Sequence, residues 1–223
     1  MLRDAWLIFQ KDLRIERRSK ELLFSVLSYG VLATVLFALS FFVDQDRSRT
    51  YTPGILWTTV LFAGSLALGR LFDCERESDC LGGLLMSPVD PRSIYLGKLL
   101  TWLFAMAIME LVTVPLLFLF FDVFALTDAT GLLIVLAQMA LGTLGFGIVG
   151  TLFAAMLLSS RLRDILVPII VFPLVTPVLV SGVQGTRAAL SGEAAIHWLS
   201  VLGAFDLIYL ALALVLFPLM IRE

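Results

Sequence analysis

Nine charged side chains crowd the stretch from Gly69 to Leu100: Asp73, Glu75, Glu77, Asp79 and Asp90, with Arg70, Arg76, Arg92 and Lys98. The first four acids sit where a short helix would begin, and carboxylates there suit the positive end of its dipole. Leu81, Leu84 and Leu85 follow as an apolar knob, and Ser87-Pro88 stops the helix. Gly82 and Gly83 weaken it by about 1 kcal/mol each, so a partner is expected to order it. An acidic collar around clustered leucines, entered through Phe72, is chemistry for docking a soluble protein and not for catalysis. The alternative is a solvated loop, which leaves three leucines exposed without cause.

Motifs for reaction chemistry are missing. A phosphate-binding loop needs a glycine five residues before Gly97-Lys98, and Arg92 stands there. CxxC, CxxCH and HExxH do not occur. Cys74 and Cys80, six residues apart, would lie about 9 Å apart along a helix and on different faces, which disfavours a disulfide. They read as free thiols. The single histidine, His197, stands beside Trp198, as an interfacial polar residue or, alternatively, as a haem ligand. No catalytic, metal or cofactor-binding residue is expected.

The elements around this stretch are membrane spans. Hydrophobic residues make up 60% of the 223, against about 45–50% in average globular chains, which predicts an all-α integral membrane protein. Spans of about 20 residues give room for six helices and short loops. They are expected at about 21–43, 54–72, 94–121, 131–158, 165–180 and 198–221. Residues 73–92 form the charged cytoplasmic segment between the second and third. A polar turn is expected at 44–53 and a mixed outer segment at 181–197. Residues 1–20 place Leu2, Ala5, Trp6, Phe9 and Leu13 on one helical face opposite six basic residues, the pattern of an interfacial amphipathic helix. The whole chain reads as one domain, with no apparent cleavable signal.

Charge distribution sets the expected orientation. With the N-terminus inside, thirteen Lys and Arg fall on inner segments, leaving Arg47, Arg49 and Arg187 outside. The positive-inside rule therefore puts both termini and the charged segment in the cytoplasm. Three polar residues fall within spans. Glu110 at mid-membrane costs about 2.5–3.5 kcal/mol on an insertion scale, so it is expected to face protein or water, protonated or paired with Gln138. Asp206 lies toward the outer side of the last span. Structural hydrogen bonding or a substrate path are the two roles open to these acids. Gly147, Thr151 and Ala155 at four-residue spacing would let another helix backbone approach. Pro115 in the third span and Pro168, Pro173 and Pro177 in the fifth each remove a backbone bond, favouring kinks or accommodation by neighbours.

The amphipathic start, six spans, cytoplasmic helix between the second and third and long outer segment before the sixth together resemble an ABC-2-type permease. Within that class, the run PGILWTTVLFAGSLALGRLF, then the pattern of Asp73, Glu75, Asp79, Leu81, Leu84, Leu85, Ser87, Pro88 and Val89, then YLGKLL, looks like the CcmB family, the haem exporter B subunits of cytochrome c maturation. The resemblance is end to end in length and sharpest over residues 53–100. It implies a permease of the bacterial inner membrane without its own ATPase activity. It further implies a second copy of the chain, two cytoplasmic ABC ATPase subunits that hold the ATP, and a haem-handling membrane subunit with a tryptophan-rich motif. A periplasmic haem chaperone, released in its loaded form, completes the set. This chain's four tryptophans, at 6, 57, 102 and 198, are isolated, which places haem chemistry on the partner. Membrane lipid is a further expected partner and nucleic acid is not. Two other readings stand beside this one: an ABC-2 permease for a lipid, drug or polysaccharide, and a non-transporting scaffold that anchors a soluble protein.

Overall fold

In a computed structural model of the chain, residues 1–41, 48–73, 89–158, 160 and 162–220 are described, and every regular element among them is a helix. In chain order these are α1 (Leu2–Ser19), α2 (Glu21–Phe41), α3 (Ser48–Arg70), α4 (Pro91–Phe120), the single turn α5 (Val123–Leu126), α6 (Ala129–Met156), α7 (Arg163–Leu190) and α8 (Ile196–Met220). Six of them, α2, α3, α4, α6, α7 and α8, are long and apolar enough to cross a membrane. The protein is a multi-pass membrane protein.

The interfacial helix ends at Lys20, whose left-handed backbone (φ 58°) turns the chain sharply into α2. Glu16 secures the corner, since its carboxylate accepts from the Leu23 N–H at 2.9 Å. The apolar stripe read from the sequence divides between two surroundings: Ala5 is buried, Phe9 and Leu13 are half-buried, and Leu2 and Trp6 stay exposed. Outside that stripe, Ile8 is buried against α4 and Leu7 is exposed. Close docking depends on Gly97, because a methyl there would stand 2.7 Å from Ile8.

Two spans start or end elsewhere than expected. α3 begins at Ser48, not at residue 54, because the supposed polar turn is folded in. Tyr51 stacks on Phe41 at 5.0 Å between ring centroids, and Thr52 is fully buried. The larger correction concerns α7, which continues to Leu190 and leaves no long outer segment before the last span. Residues 181–190 look like loop because they are small or polar, yet they are the part of α7 that receives Trp57. Its indole N–H donates to Thr186 Oγ1 at 3.0 Å and its ring lies against Gly182. The helix stops at Gly192, whose positive φ (73°) lets the Glu193 N–H reach the Ala188 carbonyl at 2.8 Å, a Schellman closure.

The three prolines do not end α7. Val167, Val171, Val175 and Val178 form a fully buried stripe that holds it to the bundle, and Pro173 lies exposed on the other side. In α6 the glycines admit large side chains: Gly142 faces Trp57, Gly147 faces Trp102, and Gly150 faces Leu68. The Trp102 indole also donates to the Gly64 carbonyl at 3.2 Å. The core is therefore built on two tryptophans seated in glycine notches.

Candidate functional site at the root of the charged segment

One end of the bundle gathers α1, the starts of α2, α4 and α7, and the ends of α3 and α8. Arg92 Nε donates to the Leu214 carbonyl at 3.1 Å, and the Tyr95 and Phe217 rings meet at 5.2 Å, fixing the end of α8 beside the start of α4. Both ends of the described chain thus lie on the side from which the charged segment leaves α3. The start of α4 is well defined: Asp90 accepts from the Arg92 N–H at 3.0 Å, and Pro91 supplies a helical φ at the first position.

The last turn of any helix leaves carbonyls without intrahelical partners. At the end of α3 two buried cations from other helices take them. Lys98 of α4 donates to the Leu71 carbonyl at 3.2 Å, and Arg163 at the start of α7 donates through Nη2 to the Leu68 carbonyl at 2.9 Å. Positive charge at a helix C-terminus is also favoured by the dipole. Phe72 lies between the cations, with Lys98 Nζ 5.1 Å and Arg163 Cζ 5.8 Å from its ring centre. A cation over an aromatic face gains about 0.5–2 kcal/mol, more when desolvated, as here.

The cations are held in turn by carboxylates. Lys98 is 2% exposed and sits 3.0 Å from Asp12 of α1, which is 7% exposed. Asp12 also meets Lys11 at 3.0 Å and accepts from Thr101 Oγ1 at 3.2 Å. Arg163 is 3.7 Å from Asp73, the first residue of the charged segment. Four helices, α1, α3, α4 and α7, therefore converge on the three residues where that segment begins. This arrangement does no covalent chemistry. It ties the position of one loop to three other elements.

Of the residues read as docking determinants, Phe72 and Asp73 are part of this clamp. Glu75, Glu77, Asp79, Leu81, Leu84, Leu85, Ser87 and Pro88, with Cys74 and Cys80, lie outside the described residues. Asp12, Lys98 and Arg163 were not singled out from the sequence. Lys98 and Arg163 had been counted only as inner positive charge, and Asp12 lay on the face read as polar. The usable signal was a lone cation placed at the very start of each long apolar run.

The intramembrane polar residues do not meet as expected. Glu110 accepts from Thr143 Oγ1 of α6 and is not paired with Gln138. Gln138 is fully buried and donates to the Ala195 carbonyl at 3.4 Å, on the loop between α7 and α8. Its register carries it past Glu110 to the far end of the bundle. Asp206 is buried against Gly145, and neither carboxylate oxygen has a hydrogen-bond partner among the described residues. His197 is exposed, with its ring edge-on to Trp198 at 5.6 Å. No group of three His, Cys, Asp or Glu side chains converges among the described residues.

Comparison with known proteins gives one consistent result. Residues 3–222 match the model of the family described as CcmB protein. The chain is 27% identical over 205 residues to heme exporter protein B of Pseudomonas aeruginosa, covering 90% of each chain. It is 28% identical over 193 residues to heme exporter protein B of Bradyrhizobium diazoefficiens, covering 83% of this chain and 82% of the relative. To the protein of the same name from Rhodobacter capsulatus it is 24% identical over 187 residues, with 84% of each covered. A match that runs through every span and both ends of the clamp, and is not confined to one apolar stretch, places the chain in the CcmB family.

Proposed function

We propose that this chain is the permease subunit of an ABC transporter complex for cytochrome c maturation in the bacterial inner membrane, its termini and charged segment cytoplasmic. In this reading a partner ATPase grips the acidic and leucine-rich part of residues 73–88. ATP-driven movement enters the membrane through Phe72 and serves haem export or release of the haem-loaded periplasmic chaperone. The supporting observation is the clamp: Lys98 and Arg163 hold the last carbonyls of α3 at 3.2 and 2.9 Å. A pull on the segment's root then acts on α1, α4 and α7 together. A loop that merely joined two spans would not need two buried cations at its origin. The family relationship, with relatives named heme exporters, directs the reading to haem.

ATP binding and hydrolysis belong in this proposal to two copies of the soluble partner, and haem ligation to a separate membrane subunit. A second copy of the chain completes the permease. The decisive experiment is a deletion strain assayed for covalent haem on c-type cytochromes and for the loaded state of the periplasmic chaperone. Loss of the cytochromes with accumulation of loaded chaperone supports release. Normal cytochromes refute the proposal and leave a permease for lipid, drug or polysaccharide. Replacing Leu84 and Leu85 together by Asp separates docking from insertion: the ATPase should no longer copurify while the permease stays in the membrane. Unchanged copurification removes the docking role.

A further inference from the structure

A half-open cleft of about 210 Å³ lies beside the clamp, lined by α1, the start of α2, the end of α3 and α4. A single water needs about 10–15 Å³ of such space, so this is far more than a packing defect. Its walls differ with depth. Phe104 and Ala105 line it six and seven residues along α4 from Lys98, about 9–10 Å deeper by helical rise, and Leu22 is a further apolar lining residue. The other end is lined by Glu16, Glu21, Arg70 and Asp73 together with the Asp12–Lys98 pair. Glu21 and Arg70 are exposed and mark the mouth. The helix that roofs it presents Leu2, Trp6 and Leu7 outward, the anchors of a helix lying at headgroup depth.

Charge accounting narrows the occupant. Lys98 is matched by Asp12 and Asp73 lies near Arg163, so neither pair sets the balance at the mouth. Among the described lining residues that leaves Glu16 and Glu21 against Arg70. An anionic headgroup would meet an excess of carboxylate, and a quaternary ammonium has no N–H to donate. A primary ammonium offers three donors for charge-assisted bonds to carboxylates, and a phosphate suits the planar fork of an arginine. From this we infer that the cavity binds a phospholipid with a primary-amine zwitterionic headgroup, its amine toward Glu16 and Glu21, its phosphate toward Arg70 and its glycerol end toward Phe104. The lipid would then bridge α1 and α3 at the root of the charged segment.

The test uses the purified full-length protein and native mass spectrometry after exchange into phosphatidylethanolamine, phosphatidylcholine or phosphatidylglycerol. The expected result is retention of phosphatidylethanolamine about tenfold over phosphatidylcholine, the loss expected for a charge-assisted hydrogen bond. Glu21→Gln should bring that retention down to the phosphatidylcholine level, and Arg70→Gln should lower retention of both lipids together, because the phosphate is common to them; both positions are exposed, so the melting temperature should not change. Equal retention of the two lipids, or retention indifferent to both substitutions, overturns the inference. A preference for phosphatidylglycerol overturns it in favour of an anion site. If free phosphoethanolamine binds as tightly as the lipid, the acyl end contributes nothing and the lipid assignment falls.

Discussion

Replacing Lys98 by Met removes one partner of a buried ion pair and leaves its volume nearly intact. Among the described residues Asp12, 7% exposed, would keep Lys11, whose side chain is 40% exposed, and the Thr101 hydroxyl. The Leu71 carbonyl would lose the Lys98 ammonium, and Phe72 one of the two cations described beside it. Breaking a buried pair from one side costs about 3–5 kcal/mol, and the surviving contacts of Asp12 argue for the lower end. About 3 kcal/mol corresponds to a fall of roughly 6–12 °C in the melting temperature of a chain this size. The assay is thermal unfolding of detergent-purified protein followed by tryptophan fluorescence, since Trp102 lies one turn along α4 from Lys98. The informative companion is Lys98→Met combined with Asp12→Leu, which removes both charges and should recover most of the loss, because the stranded carboxylate is the main penalty. A single substitution that melts within about 2 °C of the wild type refutes the clamp as an energetic feature. A double variant no better than the single one refutes the ion pair as its origin.

Gly147→Ala should destabilise the bundle by about 1–3 kcal/mol, because the added methyl stands 2.7 Å from the Trp102 ring; in a Trp102→Leu background the same substitution should cost less, and melting temperatures read the cycle. Thr186→Val should cost about 1 kcal/mol in the wild type and close to nothing in a Trp57→Phe background, which already lacks the donor of the 3.0 Å hydrogen bond and pays a packing cost besides; additive losses in a double-mutant cycle would show that the bond is not the shared element.

How much could be read from the sequence depended on how far apart the interacting residues lie. The six spans are carried by hydropathy over about twenty consecutive residues, and the structure keeps all six. The end of the fifth span was expected ten residues before Leu190. Polar Ser181, Gln184 and Thr186 lowered the local hydropathy, and nothing local told that Thr186 faces an indole 129 residues away. The neighbour of Glu110 was unreadable in the same manner: pairing with Gln138 was one of two alternatives, and Thr143 is the residue that α6 presents to it. Span and depth were readable, but rotation about the helix axis was not, and rotation decides whether Thr143 or Gln138 is the neighbour. Asp12 escaped notice because a carboxylate among arginines on an interfacial helix looks like surface charge. Only the fold brings Lys98 beneath it.

The clamp also imposes an order in time. Leu68 and Arg163 are 95 residues apart in the chain, so the end of α3 is complete in sequence well before its second cation exists. At synthesis rates of about 5–20 residues per second, some 5–19 seconds separate the two. Throughout that interval the carbonyl of Leu68 has no guanidinium to meet and Phe72 has lysine on one side only. The root of the charged segment therefore acquires its final geometry only when the start of α7 has entered the bundle, and a chain that stalls after four spans leaves that end of the bundle incomplete.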